Sequence, residues 1–195
     1  MAVTFEVMGF DMFDDTLAVL ERGAVPPPLP ASWPAGRTAP AAVSVREPWA
    51  AVYLVRLRRD GRWDDDLMLA WRRGGAWTGP VNLGGTGCPS PYERPAGIFV
   101  DWLRDGRIGG ESEELPGDED ELDPFERGDP LSYAVGVAAA SVVSVRTDEG
   151  YDQPVHAESG RFVLLVERPG PVRVSVGLQD GTTAYVGTLF KRLGT

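Results

Sequence analysis

The sequence predicts a mainly β protein, an antiparallel β-meander joined to a β-sandwich with one short N-terminal helix, and three observations carry that prediction. First, Val172, Val174, Val176 and Leu178 alternate with Arg173, Ser175 and Gly177, the period-two pattern of a strand with one buried face. Second, turn pairs recur between such runs, at Asp60-Gly61, Gly74-Gly75, Asp105-Gly106, Glu149-Gly150 and Asp180-Gly181, where a tight turn needs residues that tolerate positive φ. Third, Phe162 to Val166 is apolar on both faces, which suits a central strand covered on both sides.

Residues 1–24 read as an N-terminal strand and helix. Val3, Phe5 and Val7 alternate with polar neighbours, and Asp11 to Arg22 places Phe13, Leu17 and Leu20 at helical spacing, with acids in the first turn and Gly23 as a stop. Residues 25–40 read as a proline-rich linker, because Pro26, Pro27, Pro28, Pro30, Pro34 and Pro40 break regular structure; Trp33 is expected to pack back onto the body. Residues 41–110 form a tryptophan-rich antiparallel β module. In it Ala51, Tyr53, Val55 and Leu57 share one face of a strand, Leu67, Leu69 and Trp71 one face of the next, a third begins at Trp77, and Ile98, Val100 and Trp102 mark another. Residues 111–131 read as an acidic loop or linker. Residues 132–195 form a β-sandwich module that opens on Tyr133, Val135 and Val137, continues through Val142, Val143 and Val145 and a short Gln153 to Ala157 piece, and closes on the Pro171 to Phe190 hairpin.

The order within Val135 to Phe190, a valine-rich strand, a polar turn, "SGRFVLLVERPG", "PVRVSVGLQDG" and a final strand, resembles small immunoglobulin-like β-sandwiches found in uncharacterised actinobacterial proteins. The resemblance implies the sandwich fold for less than a third of the chain and brings no catalytic residues with it.

The net charge of −10 is concentrated. Glu111 to Asp129 holds ten acids and one base, so this stretch contributes −9 and the remainder −1. An almost uncharged remainder gives no electrostatic footprint for phosphate backbones, which argues against a nucleic-acid partner. Cys88 is the only cysteine, excluding an intramolecular disulfide and a multi-cysteine zinc site. The first twenty residues lack the basic start and apolar run of a signal peptide, and no apolar stretch is long enough to span a bilayer, so no membrane partner is expected and the cytoplasm is the default location. Lys191 is the only lysine and lies near the chain end, away from any Schiff-base or P-loop context.

No catalytic constellation is expected, and neither a cofactor nor a metal. His156 is the only histidine and reads as a surface or half-buried structural residue without a nucleophile-elbow motif. Cys88 reads as an inert small residue. Asp64, Asp65 and Asp66 offer hard oxygen ligands, but successive side chains of a strand point to opposite faces, so they are expected to form a solvated hairpin edge. The glycines of Gly84-Gly85-Thr86-Gly87 are read as a turn, since the lysine of a phosphate loop is missing. The candidate binding residues are Trp63 and Trp77, which sit beside turns and arginines, and the acids Glu111, Glu113, Glu114, Asp118, Glu119, Asp120, Glu121 and Asp123.

Three functions fit this pattern. The leading one is a non-catalytic protein-binding protein, in its sharpest form an immunity-type inhibitor, with the acids steering a basic partner and exposed aromatics anchoring it. The second is a carbohydrate or small-ligand-binding β module built on Trp63 and Trp77. The third is a carboxylate-based, metal-assisted enzyme.

Overall fold

The computed structural model describes residues 10–104, 131–167 and 170–190, and the Val3 to Val7 run, the Asp105-Gly106 turn, the acidic stretch and the side chain of Trp102 lie outside what is described. The protein is mainly β, with antiparallel sheets and one short helix among the described residues. In chain order the elements are α1 (Phe10–Glu21), β1 (Thr38–Arg46), β2 (Trp49–Leu57), β3 (Trp63–Arg73), β4 (Ala76–Asn82), β5 (Gly87–Cys88), β6 (Ile98–Arg104), β7 (Ser132–Ala138), β8 (Val142–Thr147), β9 (Asp152–Pro154), β10 (Arg161–Val166), β11 (Val172–Leu178) and β12 (Thr183–Leu189). The first sheet runs β1-β2-β3-β4 with β5 added to β3, the second β10-β7-β6 and the third β12-β11-β8-β9. No described helix is long and apolar enough to cross a membrane.

Three apolar seams stack these elements in layers. The helix buries Val19 and Leu20 against Val43, Val52, Leu54 and Met68 on one face of the first sheet. The opposite face of that sheet, with Tyr53, Val55, Leu67, Leu69 and Trp71, packs on Tyr133, Val135, Val163 and Leu165 of the second. Ala134, Phe162, Leu164 and Val166 emerge on the other face of the second sheet and meet Val145, Val172, Val174 and Val176 of the third. The second sheet is therefore the middle layer, and all six residues of β10 are buried, as its unbroken apolar run predicts.

The two β-rich segments share core. β6 belongs to the first by sequence but pairs with β7 of the second, and the seam between the first and second sheets draws residues from both. The predicted meander thus holds for β2, β3 and β4 only.

Two more local readings change. The helix faces the sheet with Thr16, Val19 and Leu20, while Phe13 points outward, because the sheet supplies partners for only one stripe of the helix. β1 carries no strong strand signal: it is rich in alanine and contains Pro40. It forms all the same because it is an edge strand, where a bulge between Pro40 and Ala42 accommodates the proline. Its outward carbonyls are covered by side chains instead of a further strand: Gln153 Nε2 donates to Val43 O at 2.6 Å and Tyr151 Oη to Val45 O at 2.9 Å.

Three of the hairpin turns share one chemistry. Arg59-Asp60-Gly61, Asp148-Glu149-Gly150 and Gln179-Asp180-Gly181 are three-residue loops closed by a pair of backbone bonds: Arg58 N to Arg62 O with Gly61 N to Arg58 O, Thr147 N to Tyr151 O with Gly150 N to Thr147 O, and Leu178 N to Thr182 O with Gly181 N to Leu178 O. In each only the glycine takes positive φ, +80°, +82° and +83° respectively, so the acid before it does not need the left-handed region. Instead Asp60 and Asp180 accept from the backbone N–H two residues on.

The proline-rich segment is tied along its length. Leu29 is buried in the seam between the first and second sheets and donates its N–H to Glu158, Pro27 O meets His156 Nε2 at 3.1 Å, and Tyr92 donates to Pro30 O at 2.6 Å.

Candidate functional site

Among the described residues, β6 leaves three large apolar side chains open. Phe99 is 57% exposed, Val100 38% and Leu103 51%, and among the described residues β6 pairs only with β7. The strand overhangs because the second sheet is the middle layer and β6 is its outer edge. A bulge between Val100 and Trp102 leaves Asp101 as the extra residue and aims its carboxylate at Arg161 of β10, with Nη1 to Oδ2 at 2.8 Å. The ion pair fixes the strand; the apolar side chains on either side of it remain open.

Behind that pair lies a buried polar cluster. Arg161 is 1% exposed, and its guanidinium stands over the Tyr53 ring at 5.5 Å from the centroid. Tyr53 donates its hydroxyl to Asp65, which also accepts from Thr86 N at 2.9 Å. Burial pushes the Tyr53 hydroxyl far above its usual range, and the negative charge of Asp65 adds to the shift. Cys88 borders the cluster, and burial, reinforced by Asp65, pushes its thiol up to about 12, so it stays protonated and unreactive at neutral pH.

The three aspartates do not form a solvated edge. Asp65 is 2% and Asp66 7% exposed, because β5 and the glycine loop close over this end of β3. Asp65 points toward the second sheet, while Asp64 and Asp66 share the other face with Arg56, at 3.2 and 3.8 Å. Gly85 makes this closure possible: a Cβ there would lie 1.8 Å from Asp65 O. Close backbone approach is the reason for that glycine. Asp66 accepts from Asn82 at 3.1 Å, but its Oδ2 is buried without a hydrogen-bond partner. Burial raises its carboxyl above the ordinary range.

An acid whose folded-state pKa is raised is protonated more readily in the fold than in the unfolded chain, so it destabilises the fold progressively as pH rises from the unfolded value through the folded one. Asp66→Asn should remove that decline, leaving the variant as stable as the parent in acid and more stable by about 1 kcal/mol at neutral pH, the usual cost of an unmet buried acceptor. Urea melts across the acid-to-neutral range measure it; a variant less stable at neutral pH would show that the Arg56 attraction outweighs burial.

Trp63 and Trp77 stand at opposite ends of β3. Trp63 begins the strand and packs edge-to-face with Trp33 at 4.8 Å and with Tyr92 at 6.4 Å, and Trp33 Nε1 donates to Tyr92 Oη at 2.7 Å. Trp77 lies across from Arg72 in register, its ring covered by that guanidinium at 4.7 Å. Each ring is engaged with its own neighbours, and the fold does not bring the two together. Trp71 is a core residue, edge-to-face with Trp49 at 6.2 Å. The eight candidate acids from Glu111 to Asp123 lie outside the described residues.

His156 is buried. Its Nδ1 accepts from Ser159 N at 3.2 Å, which leaves the proton on Nε2 for Pro27 O. Both nitrogens are thus committed to the fold, Nδ1 to the turn at Ser159 and Nε2 to the proline-rich segment. A cleft of about 480 Å³ lies beside it, lined mainly by Val25, Pro26, Pro28, Val43, Val45 and Pro154. Among the described residues no group of three or more His, Cys, Asp or Glu side chains is placed to hold a metal ion. Sequence reasoning missed the β6 edge; alternation alone marked Ile98, Val100 and Trp102 as a buried face, and the signal of an edge was the charge pair Asp101 and Arg104 within an otherwise apolar run. Compared with protein-family models, curated proteins and solved structures, the chain gives no match.

Proposed function

We propose that this chain is a non-catalytic protein-binding protein that takes a basic partner, with β6 as its anchor. The observation that carries this reading is the continuity of two features in the chain. The edge strand with Phe99, Val100 and Leu103 open to solvent ends at Arg104, and the stretch of net charge −9 begins a few residues later at Glu111. Apolar anchors supply residence time and the neighbouring charge supplies fast, salt-sensitive encounter, the division of labour expected of an inhibitor of a basic protein. The buried cluster supports the same view, since Asp65 and His156 spend their hydrogen-bonding capacity on the fold. The three-on-four packing of the second and third sheets supports the immunoglobulin-like likeness.

The test is affinity capture with the full chain, Phe99→Asp/Leu103→Asp, and a variant with the acids of 111–129 changed to their amides. The expected result is a captured protein of basic isoelectric point that the double variant loses, and that the amide variant and raised salt each weaken by at least about tenfold, the equivalent of 1.4 kcal/mol. Capture of acidic or neutral proteins alone, or of a basic one retained by both variants, would exclude this reading.

A further inference from the structure

The cleft beside His156 has apolar walls and a one-sided set of polar groups. Val43 and Val45 of β1, Pro154 of β9 and Val25, Pro26 and Pro28 of the proline-rich segment line about 480 Å³, a volume within the range of small-molecule sites. The donors among its side chains are spent on the fold. Gln153 Nε2 donates to Val43 O and Pro154 O, Tyr151 Oη to Val45 O, and His156 Nε2 to Pro27 O. The prolines have no N–H to offer. What the side chains retain is acceptors. Glu158 gives Oε2 to Leu29 N and Asp152 gives Oδ2 to Arg146 Nε, and the second oxygen of each has no hydrogen-bond partner among the described residues. We propose that this cleft binds a small primary aliphatic amine, its hydrocarbon stem against the valines and prolines and its ammonium on the Glu158 carboxylate.

The charges around the cleft select the head group. Asp152 and Glu158 are its acidic lining residues, and no lysine or arginine lines it. Three arginines come close without supplying a cation to Glu158. Arg146 takes Asp152, Arg46 stacks on the Tyr151 ring and pairs with Glu149 and Glu167, and Arg94 spends its three guanidinium nitrogens on the carbonyls of Ala138, Ala139 and Ala157. Glu158 has no ion-pair partner among the described residues. An ammonium brings three N–H donors and a positive charge to these acceptors. An alcohol of the same length fills the same apolar space with one donor and no charge, and a carboxylate meets like charge and finds no side-chain donor.

NMR titration of the full chain with hexylamine, hexanol and hexanoate at neutral pH tests this, since the amine carries its charge there. Hexylamine should bind, hexanol at least about tenfold more weakly, and hexanoate not at all. Glu158→Gln keeps an acceptor for Leu29 N and removes the charge, so it should weaken hexylamine by at least about tenfold and leave hexanol unchanged. Val45→Phe, which fills the cleft, should abolish binding of both; if circular dichroism shows that it folds poorly, Ala157→Leu at an exposed lining position takes its place. Phe99→Asp/Leu103→Asp should change nothing, which keeps this site separate from the β6 anchor. Binding of none of the three ligands, an alcohol or carboxylate held as tightly as the amine, or amine binding indifferent to Glu158→Gln or to the filling variants would overturn the proposal.

Discussion

Replacing Arg161 with methionine is expected to cost about 3–5 kcal/mol of folding stability, the range for removing one partner from a buried charge pair. The methionine keeps much of the apolar stem, so the loss isolates the guanidinium. That group is almost wholly buried, bonds Asp101 at 2.8 Å and covers the Tyr53 ring, and Tyr53 in turn holds Asp65. Without it the buried Asp65 loses the positive charge held over the ring of its hydrogen-bond partner, while Arg56 pairs with Asp64 and Asp66 on the other face. The two acids should respond differently. Asp101 retains 35% of its side-chain exposure and an amide there can still accept from the guanidinium, but the change strands the buried Arg161, so Asp101→Asn alone should cost about 2 kcal/mol, less than the loss of Arg161 itself. Arg161→Met/Asp65→Asn should recover part of the loss, since the stranded charge is gone. Urea denaturation of the four proteins at neutral pH measures this, and a single-variant loss below about 1 kcal/mol would mean that water already compensates the cluster.

Leu164→Ala and Leu165→Ala are each expected to cost about 3 kcal/mol, within the range for large-to-small changes in a packed interior. The two are adjacent on β10 and essentially unexposed, yet they face different layers, Leu165 toward the first sheet and Leu164 toward the third. Because one strand serves both seams, each variant should lower the same single unfolding transition. Tryptophan fluorescence reports chiefly on the first sheet, where most of the described tryptophans lie, and far-ultraviolet circular dichroism on the whole. Coincident curves are expected. Two separated transitions, one moved by each substitution, would show that the β-rich segments unfold independently.

Much of the secondary structure was legible because its determinants are local. The alternation in Val172 to Leu178 becomes the in-and-out burial of β11, and Gly61, Gly150 and Gly181 stand where a three-residue loop needs positive φ. The uniform apolarity of β10 foretold that something would cover both its faces. It could not say what: the same run is compatible with any two layers. The aspartates illustrate the opposite case. Three adjacent acids read as solvated, since burying charge is costly, but the reading has no access to partners far along the chain. Tyr53, Thr86, Asn82 and Arg56 supply those partners, and the cost that made exposure the natural expectation is offset by contacts only the folded chain creates.

The candidate site follows the same rule. The concentration of acids is a property of composition and needed no coordinates. That Trp63 and Trp77 stand a strand-length apart follows from the β3–β4 register, which sets Trp77 across from Arg72; that Phe99, Val100 and Leu103 are left open depends on where the chain goes after Leu83, and there it passes Pro89, Pro91 and Pro95 into a different sheet.

By itself the sequence determined most of the strands, though not β1 or β5, and also where they turn and where the charge is placed, because periodicity, turn chemistry and ionisation act over a few residues. Only the tertiary structure decided which strands become neighbours, and with that which edges are covered, which acids are buried and which apolar side chains remain for a partner. Those outcomes rest on packing between residues tens of positions apart, whose free energy is set by the shape and charge of surfaces that exist only after the sheets have stacked.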